Sequence, residues 1–528
     1  MRPLPLLLLC AACATGDTDP RADSDGAPPD ADGDGSPDAE DCAPDDAAVF
    51  PGAKELPRDG IDNDCDATTC AAAGFSGTPS PLALPAAYGD DGATPFDQAT
   101  SFASCADATP AHGLFDVSND GRPDLVVTFL CGDDEATGDT RWLVHGRGDG
   151  GFNESPLDWT LPDDYGAEGA APFANPTAAM VCGDGIPGHF LRDLDADGYL
   201  DLVVGELCGD ATIGSSMWTV HRGAAGGFET TGSAWALPSG YGGEGYAPFT
   251  AASASANCLK GIPAYTLADV DGDTLPDLVV TQGCTDAALG NARWDAHLNT
   301  GAGFGPATAL ALPSAYQTDG RTPFRATSAG ASCGESVPGH DVADVDSDGV
   351  PDLVVTEACD GDTTVGDTMW RVHRGGAAGF ADEATPWALP GEYGAAGTTP
   401  FSSTADVVDG ADDTPGHVVT DLDQDGWADL LVTERVADAT LGEGRWAVHF
   451  GAEGGFAADA WDWALPAGPG GAPWGATRDA ADCSSGRPGW ATVDLDGDTI
   501  VELLVTSDCA DLALGDTRWD VYAPTCVP

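Results

Sequence analysis

Lysine is almost missing from this chain of 528 residues, represented only by Lys54 and Lys260; Lys and Arg together number 20 against 87 Asp and Glu, a formal charge of −67. Nucleic acid and anionic lipid headgroups are repelled by such a surface, which excludes both as partners and leaves cationic polymers, divalent ions and neutral glycans. Beyond the N-terminal stretch, no apolar run approaches the roughly 18 residues of a membrane span, so any membrane attachment is through an anchor. Sustained helical periodicity is lacking, as are the GxSxG, HExxH and glycine-rich phosphate-loop motifs. Catalysis on a chain of copies needs one copy to differ, with nucleophile, base and orienting group converging; no such constellation is visible, so the sequence reads as no enzyme.

What the chain has in excess is one acidic loop, repeated six times at a period of about 76 residues. It begins at Asp116, Asp193, Asp269, Asp344, Asp421 and Asp494, as in DLDADGYLD from Asp193. Oxygen donors at alternate positions, a tight turn and a closing carboxylate surround a hard cation wanting six to eight oxygens, which suits calcium. The donors are Asp116, Ser118, Asp120 and Asp124; Asp193, Asp195, Asp197 and Asp201; Asp269, Asp271, Asp273 and Asp277. In the later copies they are Asp344, Asp346, Asp348 and Asp352; Asp421, Asp423, Asp425 and Asp429; and Asp494, Asp496, Asp498 and Glu502. Copies three and six carry Thr274 and Thr499 where the others have the turn glycine, so affinities should differ between sites. The alternative, an acidic turn without metal, leaves up to four carboxylates repelling one another within nine residues.

Around each loop runs a longer pattern: a short apolar segment before it, a DLVV-like run after it, a segment centred on Trp, then GF leading into WALP, YG and PF or PW. These β-branched runs bounded by Gly, Asp and Pro read as about four strands per copy, the size of one propeller blade. The loop with its DLVV strand resembles the FG-GAP/VCBS repeats of integrin α-type propellers, over roughly residues 71 to 528. The resemblance implies an all-β fold, a six-bladed β-propeller. The last copy stops after its Trp segment while residues 74 to 85 (GFSGTPSPLALP) supply a GF-to-WALP strand, so the N-terminus should complete the last blade.

Cysteines obey the same period. Cys105 and Cys131, Cys182 and Cys208, Cys258 and Cys284, Cys333 and Cys359, and Cys483 and Cys509 are each 26 apart, and copy five loses both positions together, to Gly410 and Val436. Joint loss is what bonded partners show, so five disulfides within blades are expected, with buried free thiols or a zinc site as the alternative. Cys70 and Cys526 flank the donated strand and its partner and would lock the ring.

An oxidising compartment follows. Arg2, the apolar stretch Leu4 to Leu9 and the small residues before Cys13 resemble a bacterial lipoprotein signal, residues 1–13, with Cys13 acylated; a plain secretory signal cut after Ala14 is the alternative. Residues 14–29 read as a flexible acidic spacer, and 67–528 as the propeller domain. Residues 30–66 resemble the MopE-type metal-binding repeat of Gram-negative surface proteins and, more loosely, the thrombospondin type 3 repeat. That resemblance places one cation on Asp30, Asp32, Asp34 and Asp38 and a second on Asp59, Asp62, Asp64 and Asp66, stapled by Cys42–Cys65. Their hard oxygens favour calcium over the copper of the family label.

All nine histidines fall at two repeat positions, His112, His189, His340 and His417 before the loop and His145, His221, His297, His373 and His449 after the repeat Trp. Metal binding around a central channel competes there with a packed, hydrogen-bonding role. The Trp142, Trp218, Trp294, Trp370, Trp446 and Trp519 series reads as packing between blades. The expectation is a monomeric, noncatalytic, calcium-stabilised surface binding or adhesion module with a glycan or protein ligand, at the bacterial cell envelope or secreted. An extracellular propeller enzyme acting on polysaccharide or phosphoester, and surface capture of copper or calcium, are the alternatives.

Overall fold

The computed structural model describes most of residues 72–526 and scattered positions between 31 and 65. Of the sites expected above, Cys13, Asp30, Asp34, Asp38, Asp59, Asp62, Asp64, Asp66, Cys70, Asp423, Cys483 and Asp498 lie outside the described residues. The chain forms two units, Met1–Ala71 with Pro528, and Ala72–Val527. In the first unit Cys42 and Cys65 are disulfide-bonded, with Cα atoms 5.6 Å apart.

The second unit is all-β, its strands falling into six sheets, and among the described residues the only helical elements are single 3₁₀ turns at Ser314–Tyr316 and Cys333–Glu335. Repeat two shows the pattern. Gly188–Arg192, Asp201–Glu206, Met217–His221 and Ser233–Ala236 run antiparallel in that order, with Trp218 opposite Trp235. The acidic loop is the connection between the first two of these strands. Asp201–Glu206 is buried along almost its whole length, which is why the sequence there is a near-continuous apolar run rather than an alternating one.

The GF segment does not simply continue into the WALP strand, as the sequence pattern had indicated. It leaves its own repeat: Gly227 pairs in parallel with Thr160 of repeat one, Gly151 with Ala83, Gly455 with Ala388, and Gly74 with Ala464. Glycine is required at this position. Gly227 has φ +149°, and a Cβ there would lie 2.6 Å from Thr160 N. Repeat three differs in that Phe304–Ala311 is one continuous strand, with Gly303 bridging to Ala236. The N-terminal segment is split accordingly: Ser80–Ala83 pairs with Arg518–Tyr522 of repeat six, Leu82 opposite Trp519, whereas Ala72–Phe75 also runs antiparallel to Pro524–Cys526.

Packing follows this hand-over. The buried apolar side chains gather into six clusters, each drawn from two successive repeats, and the cluster holding Leu82, Leu125, Phe152, Leu504 and Trp519 joins repeat six to repeat one. Every repeat Trp is buried and meets the GF phenylalanine of the following unit edge to face, as in Trp142 with Phe228 at 5.5 Å, Trp446 with Phe75 at 5.7 Å and Trp519 with Phe152 at 5.8 Å. Such pairs contribute about 0.5–1.5 kcal/mol beyond burial. Each indole nitrogen donates to a main-chain carbonyl of the PF or PW segment, Trp218 to Phe249 at 2.6 Å for example.

The disulfides Cys105–Cys131, Cys182–Cys208, Cys258–Cys284 and Cys333–Cys359 close the turns at the other end of the first two strands, with Cα separations of 5.0–5.5 Å. Cys509 is also disulfide-bonded. In repeat five, where both cysteines are replaced, an Arg435–Asp413 ion pair at 3.0 Å joins residues neighbouring the two lost positions, and Arg435 also lies over the Tyr393 ring at 5.2 Å.

The hand-over is testable. Gly227→Ala should lower the thermal unfolding midpoint, by a cost on the order of 2–4 kcal/mol, while Gly150→Ala, where an added Cβ meets nothing within 4 Å, should leave it nearly unchanged. Equal midpoints for the two variants would remove the steric argument.

Candidate metal centres

Each loop is shaped by its own carboxylates. The first Asp accepts amides across the turn, Asp193 from Gly198 at 3.0 Å and Asp344 from Gly349 at 2.9 Å; the third donor, Asp197 or Asp348, accepts from the residue two further on at 2.9 Å. In the first four loops two residues are left-handed, at the fourth and sixth positions: Asn119 and Gly121, Ala196 and Gly198, Gly272 and Thr274, Ser347 and Gly349. Glycine moves between them. Repeat three carries Thr274 at the sixth position with φ 72° but places Gly272 at the fourth, and repeat six has Gly497 at its fourth with φ 81°. One glycine per loop suffices, since Asn and, at some cost, Ala or Ser tolerate the other left-handed position.

Carboxylates converge as the spacing implied. Asp193, Asp195 and Asp197, Asp269, Asp271 and Asp273, Asp344, Asp346 and Asp348, and Asp494, Asp496 and Glu502 each bring three ligand oxygens within 4.8 Å of one another. In repeat one Ser118 stands at the middle donor, and in repeat five Asp421 and Asp425 are described. The ninth residue is the most buried: Asp124, Asp201, Asp277, Asp352 and Asp429 are at most 1% exposed. It ties the loop to the sheet through main-chain amides, Asp201 accepting from Leu194 at 3.0 Å and Gly223 at 2.9 Å, and Asp277 from Val270 at 3.2 Å and Asn299 at 2.7 Å. Burial pushes the carboxyls of Asp124, Asp201, Asp277 and Asp352 up to about 6.

Several loop oxygens are buried without a hydrogen-bond partner: Ser118 Oγ and Asp124 Oδ1, Asp193 Oδ1 and Asp195 Oδ1, Asp346 Oδ1 and Asp352 Oδ2. An unpartnered buried carboxylate oxygen is costly, and a cation coordinated by these oxygens removes the cost. The donors are all oxygen, which fits a hard divalent ion and not a thiolate- or imidazole-seeking one. Neighbouring loops touch. Asn119 donates to the Asp197 carbonyl at 3.3 Å, Asn299 to the Leu194 carbonyl at 2.8 Å, and Arg122 and Arg147 of repeat one to the Asp496 and Leu495 carbonyls of repeat six at 3.1 and 3.3 Å.

The other residues singled out from the sequence fare differently. The later histidine set is packed: His221 Nδ1 faces the Glu229 carbonyl at 2.8 Å and so carries the proton, leaving Nε2 to accept from the Tyr165 hydroxyl at 2.9 Å. His145 and His449 repeat this with Tyr88 and Tyr393, whereas the Tyr241 hydroxyl beside His297 donates to Asp295 at 3.1 Å, and burial lowers the pKa of each of these rings. In the earlier set both nitrogens face main-chain carbonyls, His340 toward Pro338 and Ala326 at 2.9 Å each. No histidine joins a metal-holding group among the described residues. In the first unit Asp41, Cys42 and Cys65 also lie close together, but the two sulfurs are bonded to each other and offer no thiolate. Sequence reasoning missed Arg222 and Arg374, which ion-pair with the middle donors Asp195 and Asp346; the signal was an Arg directly after the repeat histidine in copies two and four alone.

A cleft of about 870 Å³ opens at the first strands of repeats three and four, lined by Ser253, Thr266, Gln282, Arg325, Thr327 and Ser328 among others, with no carboxylate in its wall. Gln282 stands where repeats two, four and five have Glu206, Glu357 and Glu434.

No family model and no curated protein matches this chain. Among solved structures it is similar to the Tc holotoxin pore of Photorhabdus luminescens (16% identity, TM-score 0.43), covering 86% of this chain and only 15% of the toxin chain. It is also similar to the α-L-arabinanase of Penicillium chrysogenum (14% identity, TM-score 0.32, covering 84% of this chain and 97% of that one). A third is the rhamnogalacturonan lyase YesW (12% identity, TM-score 0.32, covering 85% and 76%). The sequence reading that the chain is no enzyme is corrected by this finding, that an arabinanase and a lyase stand among the solved structures similar to it. Likeness at this level assigns neither a reaction nor a substrate.

Two measurements check the loop chemistry. Thr274→Gly should stabilise the protein by about 1 kcal/mol, because it relieves a left-handed threonine, and unchanged or lower stability would count against that strain. The raised carboxyls bind protons that a nearby cation must expel. At pH 5.5 cation loading should therefore release protons, seen as buffer-dependent heats in titration calorimetry, and the release should vanish by pH 7.5.

Proposed function

We propose that this chain is an extracellular, calcium-loaded β-propeller of FG-GAP/VCBS type, with six blades closed by its N-terminal strand, that presents a binding surface to a polyhydroxylated extracellular ligand. The observation that carries the reading is the set of buried, unpartnered loop oxygens in repeats one, two and four, the middle donor being among them in each. Calcium is favoured over magnesium because the loops offer several carboxylates whose oxygens can bind singly or in pairs, where magnesium demands a strict octahedron and keeps its waters. Pairing of Ser80–Ala83 with Arg518–Tyr522, and the cluster joining repeat six to repeat one, support closure. The disulfides support an oxidising, extracytoplasmic location, with a lipid on Cys13 as the proposed tether to the cell envelope.

Ligand class is argued from charge. On a surface that is acidic nearly everywhere, the cleft of repeats three and four offers hydroxyls, an amide and one guanidinium and no carboxylate, a lining suited to a neutral glycan. A second reading has that cleft turning over a polysaccharide; the position of Gln282 varies among the repeats, as Phe129 and Ser507 in the first and sixth show, and a catalytic centre on a repetitive frame has to break the repetition. Metal capture by residues 30–66 is a third, which comparison of copper with calcium affinity in the full chain decides.

At a hundredfold excess over its Kd each calcium site adds about 2.7 kcal/mol to stability. Excess EGTA should therefore lower the unfolding midpoint by many degrees, and an unmoved midpoint would sink the calcium reading. A glycan array probed with and without calcium should show calcium-dependent retention that Gln282→Ala and Arg325→Ala weaken; release of reducing ends from a retained glycan would establish turnover.

A further inference from the structure

The tyrosine that meets the later histidine of the next repeat stands four residues after the WALP leucine, as Tyr88, Tyr165, Tyr241, Tyr316 and Tyr393. Its hydroxyl lies 2.7–3.5 Å from Nε2 of His145, His221, His297, His373 and His449 in turn. Its ring stands edge-on to that histidine and to the phenylalanine of the PF segment, with centroids 5.4–5.6 Å apart. Where repeats five and six meet, both members of the pair are lost together. Pro469, outside the described residues, follows Leu465 by four in the sequence, and Tyr522 replaces the histidine. A cavity of about 300 Å³ lies there, walled by Trp474, Val505, Asp508, Leu514, Asp520 and Tyr522 among others.

The walls of this cavity correspond to the surroundings of Tyr393 one repeat earlier. Trp474 matches Phe401, Tyr522 matches His449, and Asp508 matches Arg435, whose guanidinium lies 5.2 Å from the Tyr393 ring. Trp474 is larger than the phenylalanine it replaces, yet its indole nitrogen donates to the Pro466 carbonyl at 3.1 Å and its ring packs on Trp490 at 5.4 Å. Repeat three shows the polar half of the arrangement: Asp295 accepts from Arg293 Nε on Oδ1 at 2.8 Å and from the Tyr241 hydroxyl on Oδ2 at 3.1 Å. Repeat six has the same Arg-Trp-Asp triplet. Asp520 Oδ1 accepts from Arg518 Nε at 3.0 Å, and among the described residues no hydroxyl donates to its Oδ2. The two carboxylates are similarly withdrawn from water, with side-chain exposures of 13% for Asp295 and 17% for Asp520, so the second wants the donor that the first has.

We propose that this pocket binds a phenol, either the side chain of a tyrosine on another polypeptide or a small phenolic molecule. The ring fills the cavity against Trp474 and Leu514, and the hydroxyl donates to Asp520 Oδ2 beside Tyr522. The incoming group takes the place that the chain's own tyrosine holds at the other five boundaries. Removing the ring from water against aromatic and aliphatic walls favours binding. The carboxylate selects for the hydroxyl, because a ring without one would cover Asp520 and leave it no donor. A specific site on a repetitive frame needs one copy to differ, and the joint loss of Tyr and His supplies that difference. The acidic loops take no part, so the pocket stands or falls separately from the calcium reading.

Titration calorimetry of the full chain with N-acetyltyrosinamide and N-acetylphenylalaninamide tests the pocket. The tyrosine amide should bind, and the phenylalanine amide should bind about tenfold more weakly or worse for want of the hydroxyl. Pro469→Tyr combined with Tyr522→His rebuilds the tyrosine–histidine pair from the chain itself and should abolish binding, with an unfolding midpoint no lower than that of the unmodified chain. Should that double variant fail to fold, Asp520→Ala carries the test, since repeat five already has Ala447 at this position; it should bring the two amides to equal affinity. Binding of 4-methylphenol as tight as that of a glycine peptide bearing one tyrosine supports a small phenol as the ligand, and tighter binding of the peptide supports a polypeptide partner. Equal affinity for the two amides in the unmodified chain, undiminished binding in the folded double variant, or no binding of any of these probes would overturn the proposal.

Discussion

No four-stranded sheet of this sequence completes a core on its own, since every apolar cluster in the second unit is shared between two repeats. That dependence is the constraint from which the rest follows. The parallel docking of each GF hairpin on the preceding outer strand, the edge-to-face Trp–Phe contacts and the N-terminal strand beside Arg518–Tyr522 all join what one repeat would leave exposed. The acidic loops are a second place, beside the GF pairing, where neighbouring repeats meet through polar main chain, as Asn119 and Asn299 show. Charge accumulates there because the core has no use for those turns.

Much of this was legible in the residues. A period is visible without coordinates, and so are the disulfides, because both cysteines of a pair vanish together in copy five. The buried Trp series and the strand run after each loop followed from residue type and spacing. The histidines were legible as two sets but not in their role, since a ring that interchanges with Tyr or Trp declares packing and not which carbonyl it meets.

What escaped the sequence was long-range or conformational. Nothing local reveals that Gly227 pairs with Thr160 across a repeat boundary, because a two-residue parallel contact leaves no pattern; the missing Cβ was the only trace. The apparent loss of the turn glycine at Thr274 looked like a weakened loop, whereas the freedom has moved two residues back to Gly272. Arg222 and Arg374 lie far from the acidic motif in sequence and reach it only through the fold. The exclusion of catalysis rested on different ground, the lack of familiar motifs, and motif searches test familiar solutions alone.

Repeat five stands apart in how it is fastened. Repeat four holds the corresponding hairpin by covalent sulfur, indifferent to ionic strength, while here the Arg435–Asp413 ion pair stands in that place beside the strand pairing. A reductant would loosen every other staple and leave this one as it was; brine would do the opposite. Among the described residues, repeat five thus carries a fastening whose strength follows the saltiness of its surroundings.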